Sequence, residues 1–295
     1  MPITLKKDDV ELTVEWAGER YRNSRFDWNG TVTQARYRGV TLLGEEKPPF
    51  HRNPTRFGRG LHNEFGIKRA IGYDAVSAGG WFTKIGIGWL KRDEKPYFFY
   101  TDYDIESASF ERESSASLAR FLADSSERGG YAWRYEKEIE AFPNGFAIRY
   151  RLENAGSLPL ETDEYVHNFL CVAGDRMGPA YSLSFPWTLD PASFVETVNP
   201  DGALAVSPDG VGFARGTDKQ FYLGGLSGGR RVPASWRLAH AKTGISLSEE
   251  GNFETDAAHV WGWKRVVSPE LFFSFSIAPG ESVSWERRYR VSGAL

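Results

Sequence analysis

Apolar and polar residues alternate with a period of two along much of the chain. Val10, Leu12, Val14 and Trp16 are separated by Glu11, Thr13 and Glu15, and Phe146, Ile148, Tyr150 and Leu152 by Ala147, Arg149 and Arg151. Successive side chains of a β-strand point to opposite faces, so each run reads as a strand with one face in a core. The second run follows a Tyr131, Trp133, Tyr135 series and the dipeptide Asn144-Gly145, which predicts a long antiparallel hairpin. Leu271, Phe273, Phe275 and Ile277, then Pro279-Gly280, then Val283, Trp285, Tyr289 and Val291 predict another hairpin. No stretch keeps a 3.6-residue apolar period beyond about two turns, so helices are expected to be few and short.

Two zones interrupt the alternation, residues 44–80 and about 173–215. Strand patterning resumes beyond each, so the chain reads as one domain over residues 1–295 with long excursions. Fifteen or more strands exceed what one twisted open sheet holds, roughly ten, and imply two packed sheets. The expected class is therefore all-β, a large antiparallel β-sandwich. Two glycine-bearing segments need separate reading. In KIGIGWLKR, Ile85, Ile87 and Trp89 read as a strand containing Gly86 and Gly88. In GLSGG, Ser227 matches the serine of a nucleophile elbow, but RRVPASW follows instead of a helix, and a strand-to-turn glycine cluster is the better reading.

Composition narrows the function. Aromatic residues make up 15% of the chain beside 31 Gly and 15 Pro, a strand-and-turn vocabulary. With 36 basic and 39 acidic residues the net charge is -3, which leaves no broad positive field for nucleic acid. The one cysteine, Cys171, excludes an intramolecular disulfide and a multi-cysteine zinc site. None of the five histidines pairs at i, i+4 spacing, and no phosphate-cradling or dinucleotide-binding glycine loop occurs, so neither metal nor cofactor is expected. The opening residues MPITLKKDDVELTVEW lack the apolar heart of a signal peptide, and no apolar run approaches about 18 residues. A cytoplasmic protein without a membrane partner is expected.

Two segments concentrate candidate chemistry. NPTRFGRGLHNEFG places Arg56, Arg59, His62, Asn63 and Glu64 among three glycines, a lining suited to a polyol such as a sugar; the alternative is a solvated basic loop. LPLETDEYVHNFLCVAG embeds Glu164 and His167 in an apolar strand. A partly buried imidazole there is either a proton-transfer group or a core histidine with its hydrogen bonds satisfied.

In order and spacing, RGLHNEFG at 59–66, VHNFL at 166–170 and APGESVSWERRYRV from 278 resemble the aldose 1-epimerase (galactose mutarotase-like) superfamily. The resemblance implies one large β-sandwich that exchanges sugar anomers. In it His167 corresponds to the general acid that protonates the pyranose ring oxygen, while a glutamate takes the proton of the anomeric hydroxyl. Arg59 and His62 fall at sugar-binding positions, with Glu64 a further ligand. The family glutamate is expected near Trp261 to Arg265, where this chain has no carboxylate; Glu270 is the nearest and is taken as the base, with Glu164 and Glu64 as other candidates. Trp261 and Trp263 offer stacking surfaces, and Trp263 is taken as substrate-binding. The implied partner is a small carbohydrate. Two other readings stay open: a non-catalytic carbohydrate-binding protein, and a lyase or isomerase of acidic sugars served by Arg52, Arg56, Arg59 and Arg69.

Overall fold

A computed structural model describes residues 1–47, 53 and 55–293. Its strands assemble into two large antiparallel sheets and two small ones. The seven-stranded sheet runs in the order Ile3–Lys7, Val10–Glu15, Thr31–Tyr37, Leu61–Phe65, Leu160–Asn168, Phe273–Ile277, with the short Val40–Thr41 beside Thr31–Tyr37. The ten-stranded sheet has Val232–His240, Ile245–Thr255, Ser282–Ser292, Gly145–Asn154 and Trp133–Phe142 at its centre. A four-stranded sheet comprises Glu196–Val198, Gln220–Gly224, Ala258–Trp263 and Val266–Leu271. Among the described residues the helices are single 3-10 turns, and none is long and apolar enough to cross a membrane.

The alternating runs behave as their pattern demands. Along Trp133–Phe142 buried residues alternate with half-buried or exposed ones, and Tyr135, Ile148, Leu152, Trp236, Leu247, Trp285 and Tyr289 join the core with Val14, Val32 and Val166. The predicted hairpin at Asn144-Gly145 is present: Phe142 pairs with Gly145, and Asn144 takes the left-handed backbone at φ 62°. GLSGG forms a turn after Gln220–Gly224, with no helix behind Ser227.

Three expectations are corrected. Pro279-Gly280 does not close a hairpin, because Phe273–Ile277 pairs with Leu160–Glu164 while Ser282–Ser292 pairs with Gly145–Glu153 and Ser246–Gly251 in the other sheet. The chain turns a corner there, with the Gly280 amide donating to the Asn154 carbonyl at 2.9 Å. Alternation tells which residues face the core but not which strand lies alongside. KIGIGWLKR is likewise a hairpin, Trp81–Lys84 against Gly88–Lys91, turning through Gly86 at φ 78°. A Cβ on Gly86 would stand 2.2 Å from the Asp27 carboxylate, so the bare backbone makes room for that buried acid. Finally, the irregular zone 44–80 contains the strand Leu61–Phe65, every residue of which is buried. Both its faces are covered, so no polar alternation marks it.

One buried ion cluster ties the two large sheets together. Arg287 of the ten-stranded sheet is wholly buried and donates to Glu249 Oε1 at 2.6 Å and to Glu164 Oε2 of the seven-stranded sheet at 2.7 Å. Burial opposes its charge, but the two carboxylates outweigh that and hold its pKa above the usual arginine range. Removing one member leaves the others charged and unpaired in the interior. Arg287→Ala is expected to lower the unfolding free energy in urea by about 3–5 kcal/mol. Replacing Arg287, Glu164 and Glu249 together with Met and Leu should cost less than that single change.

Candidate functional site

The central strands Leu61–Phe65 and Leu160–Asn168 run antiparallel, with His62 opposite His167 and Glu64 opposite Tyr165. Pleating sends these four side chains to one face and sends Asn63, Glu164, Val166 and Asn168 into the core between the sheets. Strand Val266–Leu271 comes in beside them through paired Leu170 and Val267 backbones, at 3.0 and 3.2 Å. The Asn168 side chain fixes that approach by donating to the Pro269 carbonyl at 2.7 Å. Glu270 is thereby carried to His167, with Oε1 3.6 Å from Nε2.

Rings enclose the pair. Phe169 stacks on His167 at 4.2 Å between centroids, Trp261 meets it edge-on at 4.9 Å, and Phe26 lies against both His62 (4.8 Å) and His167 (5.7 Å). Arg25 donates to Glu64 Oε2 at 2.8 Å, and Tyr165 donates to the same oxygen at 2.6 Å. The Arg25 guanidinium is packed among Phe26, Phe99 and Tyr100, and Tyr100 in turn bonds Glu46 at 3.0 Å. Exposure falls to 3% at His167 and 6% at Glu270.

That enclosure sets the protonation of the pair. Burial pushes Glu270 up to about 8, with Arg25 opposing. Burial also drives His167 well below the usual histidine range, with Arg25 and His62 acting in the same direction, and takes His62 down to about 3. Near neutral pH the pair is therefore a carboxylic acid beside a neutral imidazole, one proton between two groups in contact.

The predicted site residues divide. His62, His167 and Glu270 come together. Glu64 lies on the same face, but its Oε2 is committed to Arg25 and Tyr165. Glu164, an alternative base, is turned to the opposite face and held by Arg287. No carboxylate lies at 261–265; the chain turns back through Lys264 and Arg265, and the returning strand sets Glu270 opposite His259. Arg59 stands 3.8 Å from Glu45 on the shared wall of two adjoining cavities of about 420 and 470 Å³. The first of these reaches His62 past Tyr21 and Phe57; the second is lined by Trp263 and Lys47. Trp263 has Lys47 and Lys264 against its ring at 4.6 and 5.3 Å, so Trp261 supplies the indole at His167.

Two other readings change. The glycines of the first segment serve packing: a Cβ on Gly60 would stand 2.1 Å from the Val32 carbonyl, so the bare backbone meets a neighbouring strand, not a ligand. Of the four arginines, Arg56 pairs with Asp102 at 2.7 Å, Arg69 approaches Asp74 at 3.6 Å, and Arg52 lies outside the described residues. No cluster of three or more His, Cys, Asp or Glu able to hold a metal occurs among the described residues. Sequence reasoning missed Arg25, Phe26 and Tyr165. The only signal for Arg25 and Phe26 was a charged and aromatic run, RFDWNG, between two strands, while Tyr165 lay two residues before His167 in the apolar strand already singled out.

No protein-family model matches the chain, and no curated protein matches it in sequence. Solved structures do match its fold. A protein from Escherichia coli K12, provisionally named an aldose 1-epimerase, superposes with a TM-score of 0.64 at 11% identity, covering 100% of this chain and 99% of that one. A galactose mutarotase related enzyme from Lactobacillus acidophilus gives 0.61 at 11%, with 99% and 98% covered. A GalM/aldose epimerase homologue from C. elegans gives 0.56 at 12%, with 100% and 99% covered. The chain thus has the fold of the aldose 1-epimerase and galactose mutarotase-like proteins, over its whole length.

The raised pKa of Glu270 has a consequence for stability. Its ordinary value is 4.5, so between there and about 8 the folded state keeps a proton that the unfolded chain releases, and stability falls as pH rises. Glu270→Gln has no such proton. Its melting temperature should gain on the wild type between about pH 5 and about pH 8, read by calorimetry; a constant difference would show that Glu270 is ionised in the fold throughout.

Proposed function

We propose that this protein is an aldose 1-epimerase-like enzyme that interconverts the anomers of a neutral sugar, with His167 and Glu270 as its acid and base. The observation that carries the reading is the 3.6 Å contact between these two groups, buried among aromatic rings and opposite His62, which lines the first cavity. A pyranose's ring oxygen and anomeric hydroxyl hang from one carbon, so an acid and a base serving both need to stand only a few ångström apart.

The chemistry needs one proton and two sites for it. With the proton passed from Glu270 to His167, the imidazolium protonates the ring oxygen while the carboxylate takes the anomeric hydroxyl proton. The bond from the anomeric carbon to the ring oxygen breaks as that carbon becomes a carbonyl. Rotation about the bond between the first two carbons presents the other carbonyl face, and reclosure returns both protons. Exclusion of water strengthens both interactions and keeps the pair's single proton in place. Trp261 and Phe26 offer apolar walls to a sugar's C–H faces, and Arg59 and His62 stand toward the first cavity.

Neutral sugars are favoured because the described arginines first read as an anion site already have counter-charges: Arg56 with Asp102, Arg59 near Glu45, Arg69 near Asp74. Fresh pure anomers of several neutral aldoses, followed by polarimetry, should equilibrate faster with the protein. His167→Ala or Glu270→Gln should slow the catalysed rate by about 10²–10⁴-fold. Because the singly protonated pair is the active one, kcat should fall as pH rises through about 8 and Glu270 loses its proton. No acceleration across the panel would remove the proposal.

A further inference from the structure

The geometry points to Ser268 as the positioning residue that aims Glu270 at His167. This inference rests on the pair acting as proposed above. Ser268 is wholly buried, two residues before Glu270 on the same strand, so both side chains leave one face of the pleat. Its hydroxyl does two things at once. It accepts the Asn168 backbone N–H at 2.9 Å and donates to Glu270 Oε1 at 3.1 Å, the same oxygen that faces His167 Nε2. The route from the imidazole to the carboxylate is therefore closed through covalent and hydrogen bonds: His167, the next residue's amide, the serine hydroxyl, the carboxylate oxygen.

The arrangement answers a problem set by the fold. Strands Leu160–Asn168 and Val266–Leu271 share no continuous ladder; an isolated bridge joins Leu170 to Val267 just beyond Asn168. Proline at 269 has no N–H to give, and its carbonyl is taken by the Asn168 side chain. Asn168 thus grips Val266–Leu271 twice, by backbone at Ser268 and by side chain at Pro269. The Asn168 amide also reaches Glu249 at 3.4 Å, and its carbonyl oxygen accepts from Tyr289 at 3.1 Å, which connects the grip to the Arg287 cluster. Of these contacts only the Ser268 hydroxyl touches the carboxylate. Other groups near Glu270 come from neighbouring elements: Arg25 and Glu64, whose charges both act on it, and His259 opposite it in the ladder. None of them has a hydrogen bond to Oε1 among the described residues.

Ser268→Ala removes the donor with one oxygen atom's change in volume, and Ser268→Thr keeps it. Infrared spectroscopy of protein labelled with ¹³C-carboxyl glutamate, with Glu270→Gln to assign the band, follows the ionisation of Glu270 directly. A hydroxyl donating to a carboxylate favours the ionised form, so Ser268→Ala should move the Glu270 titration to higher pH, and Ser268→Thr should return it. In polarimetry Ser268→Ala should lower kcat about tenfold, in line with one hydrogen bond to a charged group, with KM nearly unchanged and the alkaline limb displaced upward. Thermal unfolding of each variant establishes that it is folded. An unchanged Glu270 titration in folded Ser268→Ala overturns the assignment, as does a rise in KM with kcat preserved. If the wild type exchanges no anomers, the proposed function falls by itself, while the titration still decides whether Ser268 holds Glu270.

Discussion

The Arg287 guanidinium, closed between Glu164 and Glu249 with no access to water, is the contact on which the arrangement of this protein turns. Each carboxylate comes from a different sheet, so the charge can be satisfied only when the two sheets sit at one separation and one register. Strand Leu160–Asn168 is pinned by its inner face through Glu164 and Asn168, and the outer face carries His167 as a result. A slip of one residue in this strand would exchange its two faces, turning the imidazole toward the ion cluster and Glu164 toward the rings that surround it. Stability and the geometry of the site are thus set by a single register.

The same low-dielectric interior has opposite effects on its two polar groups. Around Arg287 counter-charges are within hydrogen-bond distance, and the ions persist. Around His167 and Glu270 the partners are aromatic rings, the neutral Ser268 hydroxyl and each other, and burial favours the neutral forms of both. The difference lies in the walls: Phe26, Phe169 and Trp261 on the outer face, carboxylates and amides on the inner. Arg25 lies close enough to act on both groups, but its own guanidinium is spent on Glu64 and Tyr165 and sheathed by three rings.

Much of the sandwich was legible from alternation, as in the Asn144-Gly145 hairpin, where a turn signal and two one-sided strands agree. Strand partners were not, because the two-residue period is the same whether the next strand folds back or crosses to the other sheet; Phe273–Ile277 and Ser282–Ser292 show both the pattern and its silence. The site was legible in part. His167 stands out as a rare residue in an apolar strand and His62 as one in a glycine-rich polar segment, yet their strands carry no alternation, since Leu61–Phe65 is buried on both faces. Glu270 could not be placed by counting along the chain, because a turn at Lys264 and Arg265 brings it back to His167. Arg25 and Phe26 come from a connecting segment, where sequence patterns say least about direction.

The corner at Pro279-Gly280 bears on the order in which the protein assembles. Strand Ser282–Ser292 enters the ten-stranded sheet at its middle, between Ile245–Thr255 and Gly145–Asn154, and it brings Arg287. Until it docks, two long strand edges are open and the carboxylates of Glu164 and Glu249 lack their cation. Nearly all of its pairings span long stretches of chain, the class of contact that forms slowly. Without that strand the sheet has two edges available to a wrong partner, and only with it do the two carboxylates share one charge.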